Sequence, residues 1–230
     1  MSNYINIYVI VEGQTEQSFV RNILAPYLGI RNIFPFPALI GKPGHKGGYV
    51  SLERAKTDIS NFLKQRHDTI ITTMIDYYGL EGSWPGRNLN ENEQRTLSAI
   101  QKAERVETGL FELVQNEHPR IDVSNRFIPF FVMHEFEALL FSDPTILAEK
   151  LAVTESSIQQ ILDECGEPEE INDSVVTAPS KRLDSLFVGK YRKTTQGIAI
   201  ASEIGLPQIR QKCPHFDEWL QNMENRVSIK

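Results

Sequence analysis

The stretch Ile5-Asn6-Ile7-Tyr8-Val9-Ile10-Val11-Glu12-Gly13-Gln14-Thr15-Glu16 decides the fold. Its first seven residues form a β-type apolar run that stops at two carboxylates flanking a glycine. A helical pattern follows, with Phe19, Val20, Ile23 and Leu24 at helix spacing. Glu12 is therefore expected at the carboxyl end of a buried strand, and Glu16 in the first turn of the next helix. Gly13 suits a sharp reversal with positive φ, since no Cβ forbids it, and Thr15 is the expected N-cap. Two carboxylates on one such turn repel each other unless a divalent metal offsets them. Alternatively, Glu16 complements the helix dipole and Glu12 is solvated.

Outward from this turn, strands and helices alternate. Asn32 to Ile40 is a second strand, and Pro35 and Pro37 assign it to an edge. Gly41 to Gly48 is a glycine-rich loop, but Lys42 precedes Pro43, so it lacks the GxxxxGK-Ser/Thr pattern of a phosphate loop. Lys42, His45 and Lys46 could still touch a substrate phosphate. Leu52 to Arg66 is an amphipathic helix with Ala55, Ile59, Phe62 and Leu63 on one face. Thr69 to Ile75 is a β-branched strand ending at Asp76. A loop from Glu81 to Asn90 and a largely helical span from Glu91 to Gln115 lead to an apolar strand, Phe127 to Met133. That strand runs into a helix start, His134-Glu135-Phe136-Glu137-Ala138-Leu139-Leu140-Phe141. The alternation predicts βαβ units and a three-layer, mostly parallel α/β sheet over residues 1–142. Residues 143–230 read as a helical appendage packed on that core, with helices over Pro144–Leu151 and Glu155–Glu164, an acidic loop over Gly166–Asp173 and a closing helical segment to Met223.

The totals narrow the function classes. With 230 residues, 40% of them hydrophobic and 23% charged, the chain fits one sizeable soluble domain. No apolar run reaches the ~18 residues of a membrane span, and the start lacks a secretory pattern. Two cysteines, Cys165 and Cys213, form no disulfide framework and suit the cytoplasm. A net charge of −6 excludes a basic nucleic-acid coat, so phosphate binding must rely on metals or a local basic patch. Such a patch exists. Between Ser180 and Lys193 stand Lys181, Arg182, Lys190, Arg192 and Lys193 against a single acid, Asp184.

Three strands of the predicted sheet end in acids, at Glu12, at Asp76 and at Glu135 or Glu137. Ligands of open α/β sheets bind outside the carboxyl ends of the strands, so these acids can converge into an all-oxygen site suited to Mg²⁺ or Mn²⁺. Glu135 and Glu137 share a face on a strand and diverge by about 200° on a helix. Phe136, Leu139 and Leu140 favour the helix, which lets one of the two acids into the site. His134 is expected as a structural hydrogen-bond partner and Glu81 as a solvated acid. Cys213-Pro214-His215 has no partner pair at zinc spacing and is expected to be structural.

Val11-Glu12-Gly13-x-Thr15-Glu16, the strand-end Asp76 and the later Glu resemble the TOPRIM fold of topoisomerases, primases and OLD-type nucleases. Together with Asp76-Tyr77-Tyr78-Gly79, His134 to Phe141 and Pro179-Ser180-Lys181-Arg182-Leu183, they also resemble a bacterial family, domain of unknown function 4276, over nearly the whole chain. The resemblance implies a TOPRIM-like, Rossmann-like core. It implies that Glu12 is a metal ligand or general acid/base, and that Glu16 and Asp76 are metal ligands with one of Glu135 and Glu137, Glu137 being favoured. Tyr78 replaces the second Asp of the TOPRIM pair, which points away from a topoisomerase arrangement. Lys181, Arg182 and Lys193 would clamp a phosphate, or else form a solvated helix face. Tyr191 and Gln196 could line the site.

The expected function is a Mg²⁺- or Mn²⁺-dependent nuclease acting on nucleic acid, DNA favoured over RNA. The resemblance adds a bacterial defence setting with a separate ATPase partner, and a homodimer is allowed. The competing expectations are a non-catalytic module that binds nucleic acid or protein, and a metal-dependent phosphatase or phosphotransferase.

Overall fold

The computed structural model describes residues 4–40, 50–171, 176–187 and 191–226. The glycine-rich loop with Lys42, His45 and Lys46, the end of the acidic loop, and Lys190 lie outside them. Strand β1 (Ile5–Val11) is central because both of its faces are apolar. Ile5, Ile7, Val9 and Val11 join one core, and Ile10 joins the other. It pairs in parallel with β2 (Ile33–Leu39) on one side and β3 (Ile70–Asp76) on the other. β3 pairs in turn with two short strands, β4 (Phe127–Ile128) and β5 (Phe131–Val132), giving the order β2-β1-β3-β4 with every described pair parallel. Helices cover both faces, so the fold is a three-layer α/β sheet with a helical C-terminal region.

β2 is the expected edge, and its prolines explain why it stays one. Ile40 N donates to Val11 O, and Val11 lies opposite Leu39. The alternation of a parallel ladder therefore turns the backbone of residues 34, 36 and 38 toward β1 and that of 35 and 37 outward. Pro35 and Pro37 present no N–H there, which blocks the addition of a further strand.

The expected strand from Phe127 to Met133 is instead two pieces. Pro129 cannot donate to a ladder, and at Phe130 a side chain substitutes for one: Phe130 N donates to Thr73 Oγ1 at 2.8 Å, and Thr73 Oγ1 donates to Phe130 O at 2.9 Å. The span from Glu91 is likewise two helices, α4 (Glu91–Thr96) and α5 (Ala99–Glu117), each opened by a capping box, from Asn90/Glu93 and Ser98/Gln101.

After β1, α1 (Gln14–Phe19) runs through a π-helical turn (Val20–Leu24) into α2 (Ala25–Gly29). α3 (Leu52–Gln65) buries Ala55, Ile59 and Leu63 beside α5 on one face of the sheet. A short helix, α6 (Val123–Arg126), precedes β4. The C-terminal region comprises α7 (Pro144–Leu151), α8 (Glu155–Cys165), α9 (Pro179–Leu186), α10 (Ile198–Ile204), α11 (Leu206–Lys212) and α12 (Pro214–Asn225). These helices share one apolar cluster with β1 and α1.

α12 is fastened to the sheet by Trp219. Its ring stacks on Phe130 with centroids 4.2 Å apart, and its Nε1 donates to Thr72 Oγ1 at 2.7 Å. Thr72 Oγ1 donates onward to Ile128 O, so one hydroxyl joins β3, β4 and α12. Replacing it by the isosteric Thr72→Val leaves a buried N–H and a buried carbonyl without their partner, at about 1–3 kcal/mol each. Urea denaturation should show a loss of about 2–6 kcal/mol; an unchanged midpoint would mean that the hydroxyl is not the fastening.

Candidate functional site

Glu12 follows β1 directly, and its Oε2 accepts from Asp76 N at 3.3 Å. Asp76 is the last residue of β3, and its Oδ1 accepts from Phe136 N at 3.0 Å. Three neighbouring strand ends are thus tied in series by carboxylates. Glu16 sits in the first turn of α1, buried, as its position in the sequence suggested. Two local expectations are corrected. Thr15 does not cap the helix: Gly13 is the N-cap and no side chain takes that part, while Thr15 is the second helical residue and buried. Gly13 has φ −144°, an extended conformation open to any residue. Its absent side chain matters for space, since a Cβ there would stand 3.1 Å from Glu16 Oε2.

The His134–Phe141 segment departs more from its reading. It is a 3₁₀ helix over Phe136–Ser142, buried on every side, preceded by Glu135 in extended backbone (φ −142°, ψ 158°). An apolar stripe is therefore no guide to which acid points where, and both reach the same lysine. Lys193 Nζ lies 2.9 Å from Glu137 Oε2 and 3.6 Å from Glu135 Oε1. Glu135 is fixed by Ser180, whose N and Oγ donate to its two oxygens at 2.9 and 3.1 Å from the start of α9. Glu137 is fully buried, and its Oε1 has no hydrogen-bond partner. The buried hydroxyl of Tyr191 also has none; it is seated against Gly197, where a Cβ would come within 2.5 Å of it.

Five carboxylates therefore interact around one ammonium. Burial, then Glu16, pushes the Glu12 carboxyl up to about 7, against the Asp76 amide and Lys193. Burial raises Glu16. Asp76 is raised well above the usual carboxylate range by burial and by Glu16 and Glu12. Burial lifts Glu137 to about 7 although Lys193 opposes it. Burial works against the Lys193 ammonium, but Glu137, Glu135 and Asp76 together hold it well above its ordinary range. Among the described residues Lys193 is the one cation in the cluster, and protonation relieves part of the remaining crowding.

Other residues singled out in the sequence are engaged elsewhere. Arg182 turns away from the acids: it donates to Thr177 O and Cys165 Sγ and pairs with Glu164. Lys181 is exposed, and Gln196 Oε1 accepts from Arg192 N. Of the expected phosphate clamp, Lys193 alone stands among the acids. His134 is buried edge-on to Tyr77, and Glu81 accepts from Ser83 Oγ. Cys213 bonds Ser142 inside the core, and His215 contacts Glu107. Ser180, which holds Glu135, is a functional residue that the charge pattern of its segment does not mark. Its signal was the Pro179-Ser180 helix start, which offers a free amide and a hydroxyl together.

Among the described residues, no group of three or more His, Cys, Asp or Glu side chains is placed to hold a metal ion by itself. The donor chemistry nevertheless fits a hard cation. Glu12, Glu16 and Asp76 are all-oxygen donors beside a partnerless Glu137 oxygen, and Mg²⁺ takes one or two carboxylates with waters and substrate oxygens.

No helix among the described residues is long and apolar enough to cross a membrane. No curated protein and no solved structure matches the chain. The family described as Domain of unknown function (DUF4276) matches residues 11–224, a span holding all five acids, Ser180 and Lys193, and the chain belongs to that family.

Proposed function

We propose that the chain is a Mg²⁺- or Mn²⁺-dependent nuclease of the TOPRIM type. The observation that carries this reading is the convergence of Glu12, Glu16 and Asp76 at adjacent strand ends, where burial and mutual repulsion raise their carboxyls and a bound cation would relieve the crowding. One or two of Glu12, Glu16 and Asp76, with waters and substrate oxygens, would hold the cation. When bound there, it would neutralise charge on a phosphodiester and make water a stronger nucleophile. Lys193, half-exposed and held by Glu137 and Glu135, presents its ammonium to the scissile phosphate. Glu135 is a positioning residue, its two oxygens committed to Ser180.

The motif resemblance to OLD-type nucleases supports a cytoplasmic role in bacterial defence, with DNA ahead of RNA as substrate. By analogy with the ATPase that those enzymes carry, a separate ATPase is the partner proposed. A homodimer is compatible with this scheme.

Plasmid and RNA cleavage in Mg²⁺ or Mn²⁺, with and without the ATPase, tests the assignment. Glu12→Ala should lower the rate by about two orders of magnitude or more, the scale of losing a preorganised electrostatic group. Cleavage that survives this change sinks the site. Calorimetric titration of Mn²⁺ should show binding that Asp76→Asn weakens, whereas a non-catalytic module predicts no heat in either protein. Hydrolysis confined to small phosphate esters would reassign the same residues to a phosphatase.

Stability supplies a second test. The Glu12 and Glu137 carboxyls ordinarily titrate near 4.5 and are raised to about 7 in the fold. The folded chain then binds more protons than the unfolded chain between these values, so their contribution to stability falls as pH rises from 4.5 to 7. In EDTA, the advantage of Glu12→Gln over wild type in thermal midpoint should grow across that window. Saturating Mn²⁺ should raise the wild-type midpoint at the upper end, because it binds the folded state alone. A variant advantage that shrinks toward pH 7 would contradict the charge crowding.

A further inference from the structure

Large hydrophobic side chains exposed among the described residues are Tyr4, Ile30, Phe34, Phe36, Leu39 and Val176, and all but Val176 lie on β2 or close beside it. Three are aromatic and half-exposed: Tyr4 at 51%, Phe34 at 39% and Phe36 at 47%. Phe34 and Phe36 are two residues apart on one strand, so they project from the same face at a spacing of about 6.6 Å. Tyr4 meets Phe34 edge-on at 6.3 Å, and Tyr8, opposite Phe36 in the register, lies 6.0 Å from it and stacks on Phe62 of α3 at 4.6 Å. Tyr8, backed by Phe62, thus supports the Phe36 ring.

This row leads to the acids. β2 runs parallel to β1, and Leu39 lies opposite Val11, the residue before Glu12. From Phe36 to that level is three residues, about 10 Å.

Two constraints select what the row binds. Pro35 and Pro37 remove the two central outward donors of the edge, which disfavours extension of the ladder by a peptide strand or by the sheet of a second copy. The chain carries a net charge of −6 and its site is a carboxylate cluster, so attraction of a polyphosphate backbone is weak in the absence of metal and an uncharged source of affinity is needed. Base stacking on aromatic rings is such a source, and it requires bases that are not already stacked inside a duplex.

We propose that Tyr4, Phe34 and Phe36 form a stacking platform for a single-stranded nucleic acid, which β2 guides to the acid cluster. The inference rests on the nuclease reading and names its substrate class. The ring spacing is about twice the 3.4 Å rise of a stacked strand, so successive rings engage bases that have been drawn apart.

Fluorescence anisotropy in EDTA, with a labelled 12-nucleotide single strand and its duplex, tests the platform without cleavage. Wild type should bind the single strand about tenfold or more tighter than the duplex. The Phe34→Ala/Phe36→Ala double variant should lose about tenfold or more of single-strand affinity, as expected for two stacked bases. Phe36→Trp should retain it, and the thermal midpoint of each variant confirms folding. Equal binding of the two probes, or single-strand binding unmoved by the double variant, overturns the platform. A wild-type dimer that the double variant converts to a monomer in sedimentation, with single-strand binding unmoved, identifies the face as a contact between copies and overturns it too. Wild type that binds the single strand in EDTA but cleaves nothing in Mg²⁺ or Mn²⁺, with or without the ATPase, overturns the nuclease reading and leaves the platform standing.

Discussion

Carboxylates crowded where parallel strands end are the constraint on which the site depends. Glu12 lies against the Asp76 amide, and the Asp76 carboxylate in turn holds the amide of Phe136. These charge-assisted contacts fasten the start of the 3₁₀ segment to the sheet. They also bring negative groups together in a partly buried place, where repulsion is screened least. The fold tolerates that cost because Lys193 offsets part of it and protonation can offset more.

The helical C-terminal region completes this arrangement. Ser180 at the head of α9 fixes Glu135, and Lys193 reaches both Glu135 and Glu137. Trp219 of α12 secures the region to β3 through Thr72. The sheet contributes the acids, and the later helices decide which of them are paired. Glu135 ends up braced, Glu137 half-satisfied, and Glu12, Glu16 and Asp76 without a cation of their own. That division marks the last three as the groups with most to gain from a hard metal.

β2 shows a related economy. Its prolines close the edge to other strands, so its aromatic rings can stay half-exposed without turning the sheet into a template for aggregation. Exposed rings on an edge that could pair would be a liability; on this edge they are free for other contacts.

Much was legible in the chain because it rests on local periodicity. The apolar runs at Ile5–Val11 and Ile70–Ile75, each ending in an acid, fix two central parallel strands and place Glu12 and Asp76 at one end of the sheet. Pro35 and Pro37 mark the edge, since a missing N–H reads the same in sequence and in space. Where local pattern gave out, tertiary context decided. Gly13 needs no positive φ, because its role is to clear room for Glu16 Oε2. The 3₁₀ segment is buried on all sides, so no stripe could tell Glu135 from Glu137. Of Lys181, Arg182 and Lys193, alike as charges in a row, only Lys193 reaches the acids, while Arg182 is taken by Thr177, Cys165 and Glu164. The sequence by itself determined which acids end strands, since strand period and strand end are properties of neighbouring residues. The tertiary structure alone decided which cation meets which acid, because such pairing depends on the packing of elements tens of residues apart.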